Sequence, residues 1–131
     1  MPVVNDITGA VVDAAIEIHR ALGPGLLESA YEELISCELT DRGLAVERQV
    51  MVPFSWKGRK IDYGFRVDLL IEGKVIVELK SIERLAPIHA RQLLTYLRLL
   101  EMRHGLLLNF GAYRMIDGVQ RVVNGFGSID E

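Results

Sequence analysis

The chain has 131 residues, half of them hydrophobic, and its 18 acidic residues outnumber its 15 lysines and arginines for a net charge of −3. That balance suits a single domain, residues 1–131, around one core. It excludes a protein that grips nucleic acid by general basicity, so any nucleic-acid site needs a local basic patch or a bound metal. No apolar run reaches the ~18 residues of a membrane span. The segment from Met1 to Asp13 carries acids and no basic stretch of the signal-peptide kind. The single cysteine, Cys37, cannot form an internal disulfide, so a reducing, cytoplasmic setting without a membrane is expected.

In chain order, Val4, Ile7, Val11, Ala15, Ile18 and Leu22 recur at helical spacing and predict a first helix from about Val4 to Leu22. Gly23-Pro24-Gly25 ends it. A second helix is predicted from about Leu27 to Asp41, stopped at Gly43. Leu44 to Phe54 alternates weakly as a strand, and Lys57-Gly58-Arg59 is a turn. Ile61 to Ile71 and Lys74 to Lys80 form a predicted hairpin around Glu72-Gly73. A long helix from about Pro87 to Arg103, a buried strand from Gly105 to Phe110 and a last strand from Met115 to Val123 complete the series. The order is helix, helix, three strands, helix, two strands. It points to a mixed α/β fold, but strand order cannot be read from it.

Chemistry concentrates on the hairpin. In Lys74–Lys80, Val75, Val77 and Leu79 share one face of the strand, and Ile76, Glu78 and Lys80 share the other. A carboxylate and an ammonium at the end of an apolar strand need partners. Asp68 lies at the same end of the preceding strand. Two close carboxylates raise each other's pKa, and a divalent cation relieves the repulsion. Mg²⁺ takes a few carboxylate oxygens plus waters and leaves room for a phosphate. Lys80 is placed to act on a water or on charge developing at phosphorus. The plainer account is a solvated ion pair. Register separates the two. Asp68 opposite Glu78 requires Leu70 opposite Ile76 and a three-residue loop Glu72-Gly73-Lys74, a five-residue loop or a bulge. A two-residue Glu72-Gly73 turn would put the carboxylates on opposite faces.

On the third helix, His89, Gln92 and Tyr96 share a face, with a solvated polar stripe as the plain reading. Arg84, Arg91 and Arg98 recur every seven residues as a basic flank, either solvated or phosphate-contacting. Glu28 and Tyr31 share one side of the second helix, and Glu28 in its first turn also suits the helix dipole. His19, near the end of the first helix, suits packing or capping more than ligation.

Gly25-Leu26-Leu27-Glu28-Ser29-Ala30-Tyr31 is a G-x-x-E-x-x-Y motif. With Val67-Asp68-Leu69-Leu70, Val77-Glu78-Leu79-Lys80, Gln92-Leu93-Leu94-Thr95-Tyr96 and Gly105–Phe110 it resembles the GxxExxY protein family from about Ile16 to Phe110. That family is grouped with the PD-(D/E)xK nuclease-like superfamily. The resemblance implies a central mixed sheet flanked by helices, with Asp68, Glu78 and Lys80 as the Asp, Glu and Lys of the motif and Glu28 as its helical carboxylate. Gln92 and Tyr96 look like the Q-x-x-x-Y motif of the RecB-like exonuclease branch. The proline of the superfamily's name is absent, with Val67 before Asp68.

The expected function is a Mg²⁺- or Mn²⁺-dependent nuclease, with DNA favoured over RNA. Asp68, Glu78 and the Leu79 carbonyl are the candidate metal ligands, with Glu28 as a further carboxylate that either binds the metal directly or supports its ligands. Lys80 positions the water, with Asp68, Glu78 and Glu28 as its catalytic company. Gln92, Tyr96, Tyr31, Arg84, Arg91 and Arg98 support the site or contact nucleic acid. The alternative is a non-catalytic nucleic-acid-binding or protein-interaction module that keeps the fold, and a third reading is a purely structural acidic cluster. A homodimer is one option for the assembly, because a small nuclease often needs a second subunit to hold a duplex.

Overall fold

The computed structural model describes residues 2–125. Helices α1 (Val4–Leu22) and α2 (Glu28–Asp41) come first. Strand β1 (Val46–Met51) follows, then two short strands, β2 (Ser55–Trp56) and β3 (Arg59–Lys60). Next are β4 (Arg66–Ile71), β5 (Val75–Lys80), α3 (Pro87–Leu100), β6 (His104–Asn109), a 3₁₀ helix (Met115–Gly118) and β7 (Val119–Val123). Five strands form one sheet in the order β1-β4-β5-β6-β7. Only β5 and β6 run parallel; the other neighbours are antiparallel. The parallel pair needs a crossover, and α3 supplies it.

The sheet has an apolar layer on each side. Val75, Val77, Leu79, Leu69, Ile71, Leu106 and Leu108 pack with Ile7, Val11, Tyr31 and Ile35 of α1 and α2. Ile76, Leu107, Val122 and Val67 pack with Leu93 and Leu97 of α3. Burial on both faces explains why β5 is nearly continuously hydrophobic. The faces expected for Val75, Val77, Leu79 and Ile76 are those observed.

The β4–β5 hairpin takes the three-residue loop. Ile71 pairs with Val75 and Leu70 with Ile76. Glu72 and Gly73 both have positive φ, 53° and 64°. The Lys74 N–H donates to the Ile71 carbonyl at 2.9 Å, so Lys74 is the extra residue that sets the register. Glu72 is not a residue that favours positive φ, but two bonds to Ala45 hold it. Its N–H donates to the Ala45 carbonyl at 2.8 Å, and its carboxylate accepts from the Ala45 N–H at 2.6 Å.

Several predicted boundaries move. The strand expected from Ile61 begins at Arg66, because residues 61–65 turn through Gly64 at φ 68°. The expected turn at Lys57-Gly58 joins β2 and β3, a separate two-stranded ladder too short to show a period. Helix α3 ends at Leu100 rather than near Arg103, since Glu101 takes the left-handed conformation at φ 55°. Residues Met115–Gly118 are a 3₁₀ helix rather than strand. The weak strand expected over Leu44–Phe54 narrows to Val46–Met51.

Beyond β5 the chain is pinned to the end of β6. The Asn109 side-chain oxygen accepts from the N–H groups of Ile82 and Gly111, both at 3.0 Å. A Cβ on Gly111 would collide with the backbone of Ile82. Gly111→Ala is therefore expected to destabilise the protein by about 1–3 kcal/mol, the usual cost of overpacking a tight contact. Urea denaturation measures this; an unchanged midpoint would mean that the contact is loose.

Candidate metal centre

Beyond the Leu69–Val77 pair, β4 and β5 stop bonding backbone to backbone in the ordinary way. The Asp68 N–H donates to Glu78 Oε1 at 2.9 Å, and the Leu79 N–H donates to Asp68 Oδ2 at 2.8 Å. Each carboxylate is thus held by an amide of the opposite strand. The Ile71–Val75 and Leu70–Ile76 pairs put Asp68 opposite Glu78, as the metal-site reading requires. Strand alternation also breaks here. Val67 and Leu69 are two apart, yet Val67 packs in the α3 layer and Leu69 in the α1–α2 layer.

Burial dominates the electrostatics. It pushes the Glu78 carboxyl up to about 8, with the Asp68 charge adding to the rise and the Asp68 N–H and the Lys80 charge opposing it. Asp68 is also raised, first by burial, with the Leu79 and Gln49 hydrogen bonds pulling the other way. The Lys80 ammonium is half-buried and forms no ion pair among the described residues.

Two residues that sequence reasoning missed complete the arrangement. Gln49 of β1 falls opposite Asp68, between the Arg48–Leu69 and Val50–Val67 pairs. Its φ of 52° is left-handed in mid-strand, a strain of about 1–3 kcal/mol that persists only where its surroundings hold it. Its amide nitrogen lies 2.6 Å from Glu32 Oε1 and 3.2 Å from Asp68 Oδ1, bridging the two acids. Glu32 of α2 is buried, and Arg48 Nε donates to its other oxygen at 3.0 Å. A polar residue inside the apolar stripe of α2 was the available signal for Glu32. Nothing in the local sequence marks Gln49, because its role depends on pairing across the sheet.

The remaining expected residues divide. Glu28 stands at the start of α2, where its Oε2 accepts from the Ser81 N–H at 3.3 Å. Its charge acts on both Asp68 and Glu78. No three His, Cys, Asp or Glu side chains converge on one point among the described residues. Glu28 thus holds the segment after Lys80 through the Ser81 amide. Tyr31 is fully buried, so it makes no nucleic-acid contact. It stacks on Phe110 at 4.1 Å, its hydroxyl donates to the Gly23 carbonyl, and it accepts from the Leu26 N–H at 3.1 Å. Gln92 and Tyr96 line a groove on α3 with Phe65 and Arg91. The Tyr96 phenol is raised by burial and then by the Glu78 and Asp68 charges, which places it within their field. Arg84 precedes α3 instead of extending its face, so the seven-residue basic strip does not form as one helical row. Arg98 is exposed on α3. His89 caps α3, its Nδ1 accepting from the Ala86 N–H at 2.9 Å, and His19 Nε2 donates to the Ala112 carbonyl at 2.9 Å.

A mixed sheet flanked by helices carries Asp68 and Glu78 side by side where β4 and β5 part. The family model of the PD-(D/E)XK nuclease superfamily matches residues 5–122. The chain belongs to the PD-(D/E)XK nuclease superfamily. Comparison with curated proteins and with solved structures found no match.

Nucleases of the PD-(D/E)XK superfamily typically use divalent metal ions. The donor set fits a hard cation. Glu78 Oε1 is used by the Asp68 amide, while no hydrogen-bond donor reaches Oε2 among the described residues. Because N–H and C=O of one residue point to the same side of a strand, the Leu79 carbonyl points with its N–H toward Asp68. Two carboxylates, one carbonyl and water are donors that suit Mg²⁺ or Mn²⁺.

The raised carboxyl gives a signed pH dependence. A folded pKa near 8 against an ordinary value of 4.5 means that the folded state holds its proton more tightly than the unfolded state. Without metal, stability is therefore full below about pH 4.5 and falls as pH rises toward about 8. Metal-free wild type is expected to lose melting temperature across that window. Glu78→Gln should flatten the curve, and Mn²⁺ should restore wild type at the alkaline end. A wild-type curve that is flat in EDTA would contradict the assignment.

Proposed function

We propose that the protein is a divalent-metal-dependent nuclease that hydrolyses phosphodiester bonds of nucleic acid. The observation that carries this reading is the interlock of Asp68 and Glu78 across β4 and β5, with Lys80 two residues further along and free of ion pairs among the described residues. Its Gly25–Tyr31 segment and the ordered motifs behind it support membership of the GxxExxY branch.

In this reading Asp68, Glu78 and the Leu79 carbonyl hold Mg²⁺ or Mn²⁺. When bound, the cation supplies Lewis-acid stabilisation of charge on the phosphate. Lys80 Nζ donates hydrogen bonds to the attacking water and to the phosphoryl oxygens as negative charge builds there. The water oxygen bonds to phosphorus and gives up a proton to solvent, the bond from phosphorus to the leaving oxygen breaks, and that oxygen takes up a proton from solvent. Glu28, through Ser81, fixes where the chain turns after Lys80. Gln49 and Glu32 hold Asp68 in place. Gln92, Tyr96 and Arg91 border the path of the nucleic acid, with DNA the favoured substrate over RNA.

Single-turnover cleavage of single- and double-stranded DNA and RNA in Mn²⁺ tests this. Lys80→Ala should lose cleavage by about 10²-fold or more, as when a preorganised charge-stabilising group is removed. Its Mn²⁺ affinity by calorimetry should be retained or slightly higher, since a nearby positive charge is gone. Glu78→Ala should lose both. Equal cleavage by Lys80→Ala would refute the role of Lys80. Wild type that binds nucleic acid but cuts none would leave a non-catalytic module with this fold.

A further inference from the structure

The segment between β1 and β4 contains chemistry that the metal centre does not use. Residues 55–66 hold four basic side chains, Lys57, Arg59, Lys60 and Arg66, and one acid, Asp62. With a chain total of −3, this local excess of three positive charges leaves the rest at −6. All four cations are exposed, and none forms a salt bridge among the described residues. The aromatic content is equally uneven. Phe54, Trp56, Tyr63 and Phe65 are four of the nine aromatic residues in the chain.

These rings are arranged as a surface. Trp56 is 64% exposed and Tyr63 74% exposed. Tyr63 stacks on Phe65 with centroids 6.0 Å apart and planes 19° apart. Phe65 in turn meets Tyr96 at 6.0 Å and Phe54 at 5.9 Å. Tyr96 ends the row inside the field of Glu78 and Asp68. A groove of about 380 Å³ runs beside it, lined by Phe54, Phe65, Ile88, Gln92, Tyr96 and Leu99. Lys57 Nζ lies 5.6 Å from the centre of the Trp56 ring, so the tip of the β2–β3 hairpin joins cation and aromatic face.

Exposed rings interleaved with cations free of salt bridges fit a strand whose bases are free to stack and whose backbone is anionic. A duplex keeps its bases stacked internally and offers such rings nothing. An apolar protein partner would leave the four cations without charge complements. We propose that the β2–β3 hairpin and the Tyr63–Phe65–Tyr96 row form the entry surface for single-stranded nucleic acid, which they lead to Asp68 and Glu78. Bases stack on Trp56, Tyr63 and Phe65, while Lys57, Arg59, Lys60 and Arg66 meet phosphates. This rests on the nuclease reading and narrows its substrate to unpaired strands.

The test is fluorescence anisotropy of the full chain in EDTA, with labelled oligo-dT and a labelled duplex of equal length. Oligo-dT should bind about tenfold or more tighter than the duplex. The double variant Trp56→Ala/Tyr63→Ala alters two exposed side chains. It should lower oligo-dT affinity by about tenfold or more, leaving melting temperature and duplex affinity unchanged. Lys57→Gln with Arg59→Gln should reduce the log–log salt slope by about 0.7 for each phosphate that is no longer neutralised. Equal or tighter duplex binding, an unaltered double variant, or no binding of either probe would overturn the proposal; the last would make the patch a protein interface. The metal-free assay keeps the two readings apart. Expected binding with no Mn²⁺-dependent cleavage would sink the nuclease and leave this surface standing. Cleavage by a double variant that still binds and cuts single strands as wild type does would have the opposite meaning.

Discussion

Asp68 and Glu78 stand where backbone carbonyls would ordinarily accept hydrogen bonds, and the site depends on that substitution. Glu78 takes the Asp68 amide and Asp68 takes the Leu79 amide. A carboxyl oxygen accepts each of these bonds in place of a carbonyl, so the strands can part without orphaning amides in a buried region. The parting makes room for the carboxylates between two central strands. It also brings them under cover, which raises both, and the Asp68 charge raises Glu78 further. The same geometry that satisfies the backbone therefore creates a need for positive charge. Lys80 meets that need only in part, and a cation would meet it more fully.

Neighbouring elements are shaped by this break in the ladder. Opposite Asp68, β1 carries Gln49 with a left-handed backbone, and its amide spans Asp68 and Glu32. Val46 packs on the α1–α2 side and Val50 on the α3 side, so β1 changes face at the same level as β4. Two strands that switch together preserve their pairing, which a switch in one alone would disrupt. Through Glu32 and Arg48 the distortion is tied to α2. A shift of that helix would therefore be felt at Asp68.

The Gly25–Tyr31 motif acquires a physical account from this frame. Tyr31 ties down the Gly23–Leu26 turn by its hydroxyl and is itself fixed by stacking on Phe110. Ser81 Oγ donates to the Leu26 carbonyl at 2.8 Å, while Glu28 takes the Ser81 amide. Asn109 holds the next residue, Ile82. The chain leaving Lys80 is thus clamped from α2 and from the end of β6. The residues of the motif serve the candidate site through Ser81 and the turn it holds, and Tyr31 does so without facing solvent.

Much of this was legible in the chain itself. Helical spacing placed α1 at its observed limits because its apolar stripe packs against the sheet, and the expected α2, stopped at Gly43, begins within one residue of its observed start. The alternation in Val75–Lys80 set its faces, and the choice between two- and three-residue loops reduced the site to a single register question. Local sequence could not answer that question, since Glu72-Gly73 suits either loop; the ties from Glu72 to Ala45 favour the observed one. Strand order, the bridge through Gln49, and the bond from Ser81 to Glu28 were likewise decided only in three dimensions. Each depends on residues far apart in the chain meeting across the sheet, and short-range periodicity records which face a side chain takes but not which partner it finds there.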